Sequence, residues 1–299
     1  MTFDSENNVT KNSSDWFKTG IFLLDGGWGT QLQARGLAIG EHPDLWNLSN
    51  PEAVLSVAAA YVSAGSDVIL SNTFGSSRFV LSRNGAEDKV EAINRAGVAI
   101  SNRAANGKAK VFASMGPSGV MLLSGNVTEE ELYNVFLEQA VAIAAEKPDG
   151  IVIETMSDTA EAAIAVKAAK TTGLPVAACM VFDSGKNKDR TMMGTTPEQA
   201  VEKLTEAGAD IIGSNCGQGI DGFIPICKRI RAVTNLPIWM KANAGLPQMI
   251  DGKTVYSQSS EDFAEKAKQL IDAGANFIGG CCGTTPDFIA ELSKIVKVL

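Results

Sequence analysis

The sequence concentrates sulfur in two short segments. Cys216 lies in Gly213-Ser214-Asn215-Cys216-Gly217, and Cys281-Cys282 lie in Gly279-Gly280-Cys281-Cys282-Gly283-Thr284-Thr285-Pro286. Side chains alternate faces along a regular strand, so adjacent cysteines address one point only where the strand breaks, and flanking glycines permit such a break. Three thiolates suit a borderline-soft cation. Catalytic zinc takes three protein ligands and keeps a fourth position for water or substrate. Two plainer readings compete: small buried hydrophobes, or a strained disulfide within the vicinal pair, which leaves Cys216 unexplained. Cys179 and Cys227, mid-strand and mid-helix, are read as packing. With His42 the single histidine, His-based triads and His-rich metal sites have almost no support.

Zinc held by three thiolates carries one net negative charge, which makes a bound water a poor acid and disfavours hydrolysis. The same ion holds an incoming thiol deprotonated. A free thiol with a pKa of ~8.5 is only a few per cent thiolate at neutral pH, so coordination raises the supply of nucleophile. The expected chemistry is alkyl transfer to sulfur.

These cysteines need a scaffold that brings distant segments to one rim. Eight short β-rich runs alternate with longer runs of helical period: Ile21–Asp25, Asp67–Thr73, Lys110–Met115, Asp149–Thr155, Pro175–Val181, Asp210–Cys216, Pro237–Asn243 and Asn276–Cys281. The helical stretches between and after them run from Pro51–Ala64 to Pro286–Val298. Strands alternating with crossover helices in this number predict an α/β fold, a single-domain (β/α)8 TIM barrel over residues 21–299, with residues 1–20 as a flexible N-terminal arm. Gly65, Gly208 and Gly274 each close a helical run, and eight residues beyond them stand Thr73, Cys216 and Cys282. Equal counts imply equal depth, at the carboxyl ends of the strands, where barrel enzymes carry their active sites.

Composition agrees with a small-molecule enzyme. The 299 residues carry 26 Lys+Arg against 34 Asp+Glu, a net charge of −8, with no basic cluster, which argues against nucleic acid or an anionic membrane as partner. The polar N-terminus has no apolar core of a secretory signal, and no run of ~18 apolar residues occurs. A cytoplasmic protein with reduced thiols is expected.

Taken together, the motifs resemble the homocysteine S-methyltransferase family. They are Leu24-Asp25-Gly26-Gly27-Trp28-Gly29-Thr30, Asn72-Thr73-Phe74-Gly75, Gly116-Pro117-Ser118-Gly119, Glu154-Thr155, Asn215-Cys216, Asn243-Ala244-Gly245 and Gly280-Cys281-Cys282-Gly283-Thr284-Thr285-Pro286. The likeness is greatest to the N-terminal homocysteine-binding module of cobalamin-dependent methionine synthase. The resemblance implies methyl transfer to homocysteine, giving methionine, with Zn2+ on Cys216, Cys281 and Cys282. Asn243 matches the position that fills the open zinc site before the thiol arrives. Asp25 and Glu154 match the carboxylates that hold the substrate amino group, and backbone amides near Gly26, Gly27 and Thr73 are placed to bind its carboxylate.

The folate, cobalamin and reactivation modules of methionine synthase are missing from this sequence, so the expected methyl donor comes from outside. It is S-methylmethionine or another sulfonium or ammonium compound, or a methyl-corrinoid protein acting in trans. Few aromatics are present to cage a quaternary ammonium, which weakly disfavours betaine. Barrels of this type often pair through outer helices, so a homo-oligomer is compatible with the sequence. Two alternatives stay open. One is a non-catalytic zinc- or thiol-binding barrel. The other is an aldolase-type enzyme forming a Schiff base on Lys241, which shares a strand face with Asn243; pairing of Lys241 with Asp25 or Glu154 is the plainer expectation.

Overall fold

The computed structural model describes residues 13–250 and 253–297. All eight expected strands form, as β1 (Phe22–Leu23), β2 (Val68–Leu70), β3 (Lys110–Met115), β4 (Gly150–Met156), β5 (Val176–Met180), β6 (Ile211–Gly219), β7 (Ile238–Asn243) and β10 (Phe277–Gly280). They make one parallel sheet in the order β1-β10-β7-β6-β5-β4-β3-β2. A parallel bridge between Leu24 and Val68, backed by the Asp67 amide donating to the Leu23 carbonyl at 2.7 Å, joins the two ends into a closed ring. Between β7 and β10 lies an antiparallel hairpin that sequence reading missed, β8 (Pro247–Ile250) with β9 (Lys253–Tyr256).

Local sequence explains where helices start and stop. Thr128 with Glu131, and Thr196 with Gln199, close reciprocal capping boxes that satisfy backbone donors at the first turn. Gly65 and Gly208 end their helices in the left-handed conformation, at φ of 105° and 100°.

The barrel interior is layered. Alternation along each strand sends Phe112, Val152, Trp239 and Phe277 inward as one apolar layer, with the rings of Trp239 and Phe277 stacked at 5.1 Å between centroids. One pleat nearer the carboxyl ends, the inward positions become Ser114, Glu154, Asn215 and Lys241, all buried. Gly213 carries no side chain because a Cβ there would stand 2.0 Å from the Trp239 carbonyl oxygen. A second, larger apolar layer lies between the sheet and its helices. Cys179 faces the barrel interior and Cys227 the layer outside it, both fully buried, which agrees with packing roles.

The opposite mouth of the barrel is plugged. Of the stretch expected as a flexible arm, residues 1–12 lie outside the described residues, and Ser13–Lys18 is instead a 3-10 helix. Its Trp16 meets Phe22, Phe112 and Phe277 edge-on at 5.1–6.3 Å, and Phe17 is buried with them. Apolar burial beats chain entropy here because the barrel floor presents a ready aromatic surface. Phe17→Ala is therefore expected to cost about 3 kcal/mol, read as a lower urea midpoint at unchanged slope; an unshifted midpoint would show that the plug adds nothing.

Candidate metal and substrate site

Two breaks in β geometry build the site. Thr155, near the end of β4, has φ of 62°, and the pairing of β4 with β5 shifts register between Ile153 and Met156. Cys216, within β6, also has φ of 62°, and the pairing of β6 with β7 shifts between Asn215 and Gly219. A left-handed conformation is costly for a β-branched or bulky side chain, on the order of 1–3 kcal/mol, and persists only where its surroundings hold it. Asn215, the residue before Cys216, links the two breaks. Its Oδ1 accepts from the Thr155 amide at 2.7 Å, and its Nδ2 donates to Thr155 Oγ1 at 2.7 Å and to Glu154 Oε2 at 3.1 Å.

The bend at Cys216 brings its thiol to those of Cys281 and Cys282, which follow β10. The three sulfur atoms lie within 4.8 Å of one another, and Cys216 and Cys282 are 3.8 Å apart. Sulfur ligands at ~2.3 Å in a tetrahedral shell stand ~3.8 Å from each other, so the spacing suits a thiolate-bound ion. The donor chemistry agrees. Cys216 is held far below the ordinary thiol value because Cys281 and Cys282 donate hydrogen bonds to it, and the same contacts push Cys281 well up and Cys282 up to about 12. One thiolate thus discourages the next, and a divalent cation lets all three ionise together.

Asn243 stands beside this cluster, where its Oδ1 accepts from the Cys282 amide at 3.1 Å. Tyr256, at the end of the unexpected hairpin, covers the turn after Cys282. A Cβ on Gly283 would lie 2.2 Å from the Tyr256 ring, and Gly283 has φ of 81°, so both close approach and backbone conformation demand glycine.

Beside the thiols opens a cavity of about 570 Å3, whose wall includes Gly26, Gly27, Trp28, Phe74, Glu154 and Lys241. Glu154 receives hydrogen bonds from Ser114 Oγ and Asn215, and burial raises its carboxyl above the usual range, with Lys241 and Ser114 opposing the shift. Lys241 pairs with Asp25 Oδ1. Burial works against the lysine's charge, but the carboxylates of Asp25 and Glu154 outweigh it and hold the ammonium above its ordinary value. A Schiff base needs a neutral amine, so this environment opposes the aldolase-type alternative.

Other expected residues stand differently. Asp25 lies behind the cavity wall, fully buried, where its Oδ2 accepts from Trp28 Nε1 and the Leu70 amide, both at 2.7 Å. The Gly27 amide donates to Thr284 O and Oγ1 at 3.2 and 3.1 Å. Thr73 is also buried off the wall, its hydroxyl donating to the Ser114 carbonyl at 2.7 Å. Sequence reading missed Ser114 and Tyr256 altogether; inward alternation on β3 points to the first.

The closed parallel barrel and the trithiol centre at its carboxyl rim define a barrel enzyme with a metal-competent thiol site. A family model described as homocysteine S-methyltransferase matches residues 22–296, and the chain belongs to that family. It is similar to the methionine synthases of Mycobacterium leprae and Mycobacterium tuberculosis, at 26% and 27% identity over 295 residues, 92% of this chain. The chain spans about a quarter of the length of these curated relatives, 24% in each case. The homocysteine methyltransferase MmuM from Escherichia coli shares the fold. Its metallated form superposes with a TM-score of 0.76 at 22% identity, covering 93% of this chain and 97% of that one. Its oxidized form gives 0.77 at 22% identity, covering 95% and 100%.

The Asn215 bridge yields a direct expectation. Asn215→Ala strips Glu154, Thr155 N and Thr155 Oγ1 of buried partners and is expected to lower unfolding free energy by about 2–3 kcal/mol. Chemical denaturation measures it, and a loss under about 0.5 kcal/mol, the range of ordinary surface changes, would contradict the bridging role.

Proposed function

We propose that this chain moves a methyl group from a donor to the sulfur of homocysteine, giving methionine, with zinc held by Cys216, Cys281 and Cys282. The observation that carries this reading is the convergence of three thiols within 4.8 Å on the wall of a cavity that also presents Glu154. Family membership supports homocysteine as acceptor. Zinc, when bound, supplies a Lewis acid that keeps the acceptor thiol ionised near neutral pH.

The chain's own residues orient the acceptor. Glu154 takes its ammonium, held in place by Ser114 and Asn215, while Asp25 acts from behind the wall through Lys241 and Trp28. Asn243 and Tyr256 fix the turn that carries Cys282. The reaction is an in-line displacement. The acceptor sulfur attacks the methyl carbon, the bond from that carbon to the donor breaks, and its electron pair leaves with the donor. A cavity of about 570 Å3 has room for a donor beside the acceptor. A sulfonium or ammonium compound, or a methyl-corrinoid protein reaching the mouth, meets the chemical requirement. Reduced thiols at the centre suit the cytoplasm.

Two outcomes follow. Zinc-loaded protein given homocysteine is expected to form methionine with at least one of S-methylmethionine, betaine, methylcobalamin or a methylated corrinoid protein. Binding of zinc and homocysteine with no methionine from any donor would leave a thiol-binding barrel instead. Separately, Cys216→Ser is expected to weaken zinc more than about 100-fold, beyond the 10–100-fold cost of an outer-shell partner. Competition with a chromogenic chelator reads this, and unchanged affinity would remove Cys216 from the ligand set.

A further inference from the structure

We infer that Lys241 is the contact for the acceptor's α-carboxylate, and that it selects thiols that carry one. The inference rests on the acceptor reading above and concerns which residues recognise it. Lys241 is part of the cavity wall, and its side chain is 2% exposed. A lysine ammonium has three donors. One goes to Asp25 Oδ1, and among the described residues no other acceptor takes the remaining two. A buried ammonium short of acceptors beside a cavity favours an anionic group from outside.

The neighbours restrict what that group is. Asp25 is itself closed to ligand, since Lys241, Trp28 and Leu70 already donate to it and it lies off the wall. The Gly27 amide, one of the expected anchors for a carboxylate, donates to Thr284. The cavity wall thus carries a positive Lys241, a negative Glu154 and the three thiols. A zwitterionic amino acid with a side-chain thiol is complementary to that set of groups: carboxylate on Lys241, ammonium on Glu154, sulfur at the cysteine cluster. Asp25 becomes a positioning residue that fixes the Lys241 ammonium by charge and hydrogen bond.

The test compares homocysteine with 3-aminopropane-1-thiol, which keeps the thiol and the amine but lacks the carboxylate. Affinities of both for the zinc-loaded chain are measured by calorimetry, with zinc content matched. The wild-type chain is expected to prefer homocysteine by about 10- to 100-fold, the range of a hydrogen bond to a charged group. Lys241→Met is expected to erase that preference while still binding the aminothiol. Because this change leaves Asp25 with an unpaired buried charge, the neutral pair Asp25→Asn/Lys241→Met is measured beside it and is expected to behave alike. Equal affinity of the wild type for both thiols, or an equal loss for both in the variants, would overturn the inference. If the wild type methylates homocysteine yet shows either result, only this inference falls; a wild type that binds neither thiol overturns it together with the functional reading.

Discussion

Everything in this site depends on a conflict between sheet geometry and ligand geometry. Three sulfur atoms carried by two strand ends must meet within 4.8 Å, and regular strands would aim neighbouring side chains apart. The backbone resolves the conflict by leaving β conformation at Cys216 and again, two strands away, at Thr155. Both departures cost conformational energy, and the hydrogen bonds of one buried asparagine, Asn215, tie them together. The barrel tolerates such bends at its rim because pairing deeper in the sheet is regular.

The polar layer of the interior follows the same logic. Asp25, Lys241 and Glu154 are all removed from bulk water, where an unpaired charge is expensive. Alternating signs, with Ser114, Asn215 and Trp28 as hydrogen-bond donors to the carboxylates, make the group sustainable. Beneath it the stacked aromatic layer of Trp239, Phe277 and Phe112, sealed by Trp16 and Phe17, keeps water out from below. The result is a buried platform whose upper surface adjoins the cavity.

Much of this was legible in the sequence for identifiable reasons. Strand count and order followed from periodicity, and the depth of Cys216 and Cys282 followed from their equal distance past Gly208 and Gly274, since the register of a parallel barrel repeats. Pairing of Lys241 with Asp25 was within reach because same-face spacing on β7 aims the lysine inward. The hairpin after β7 was missed, although Asp251-Gly252 between two alternating runs is a hairpin signal. What escaped altogether was the division of labour among hydrogen-bond donors and acceptors. That Asp25 and Gly27 are already occupied depends on Trp28, Leu70 and Thr284, contacts that no pattern in the chain announces.

The central claim is that three protein sulfurs hold zinc and leave one position for the acceptor's own. X-ray absorption at the zinc edge counts sulfur neighbours directly. The account predicts three sulfurs at ~2.3 Å for the zinc-loaded chain, rising to four when homocysteine is added. A sulfur count that starts below three, or that stays unchanged with homocysteine present, would contradict it.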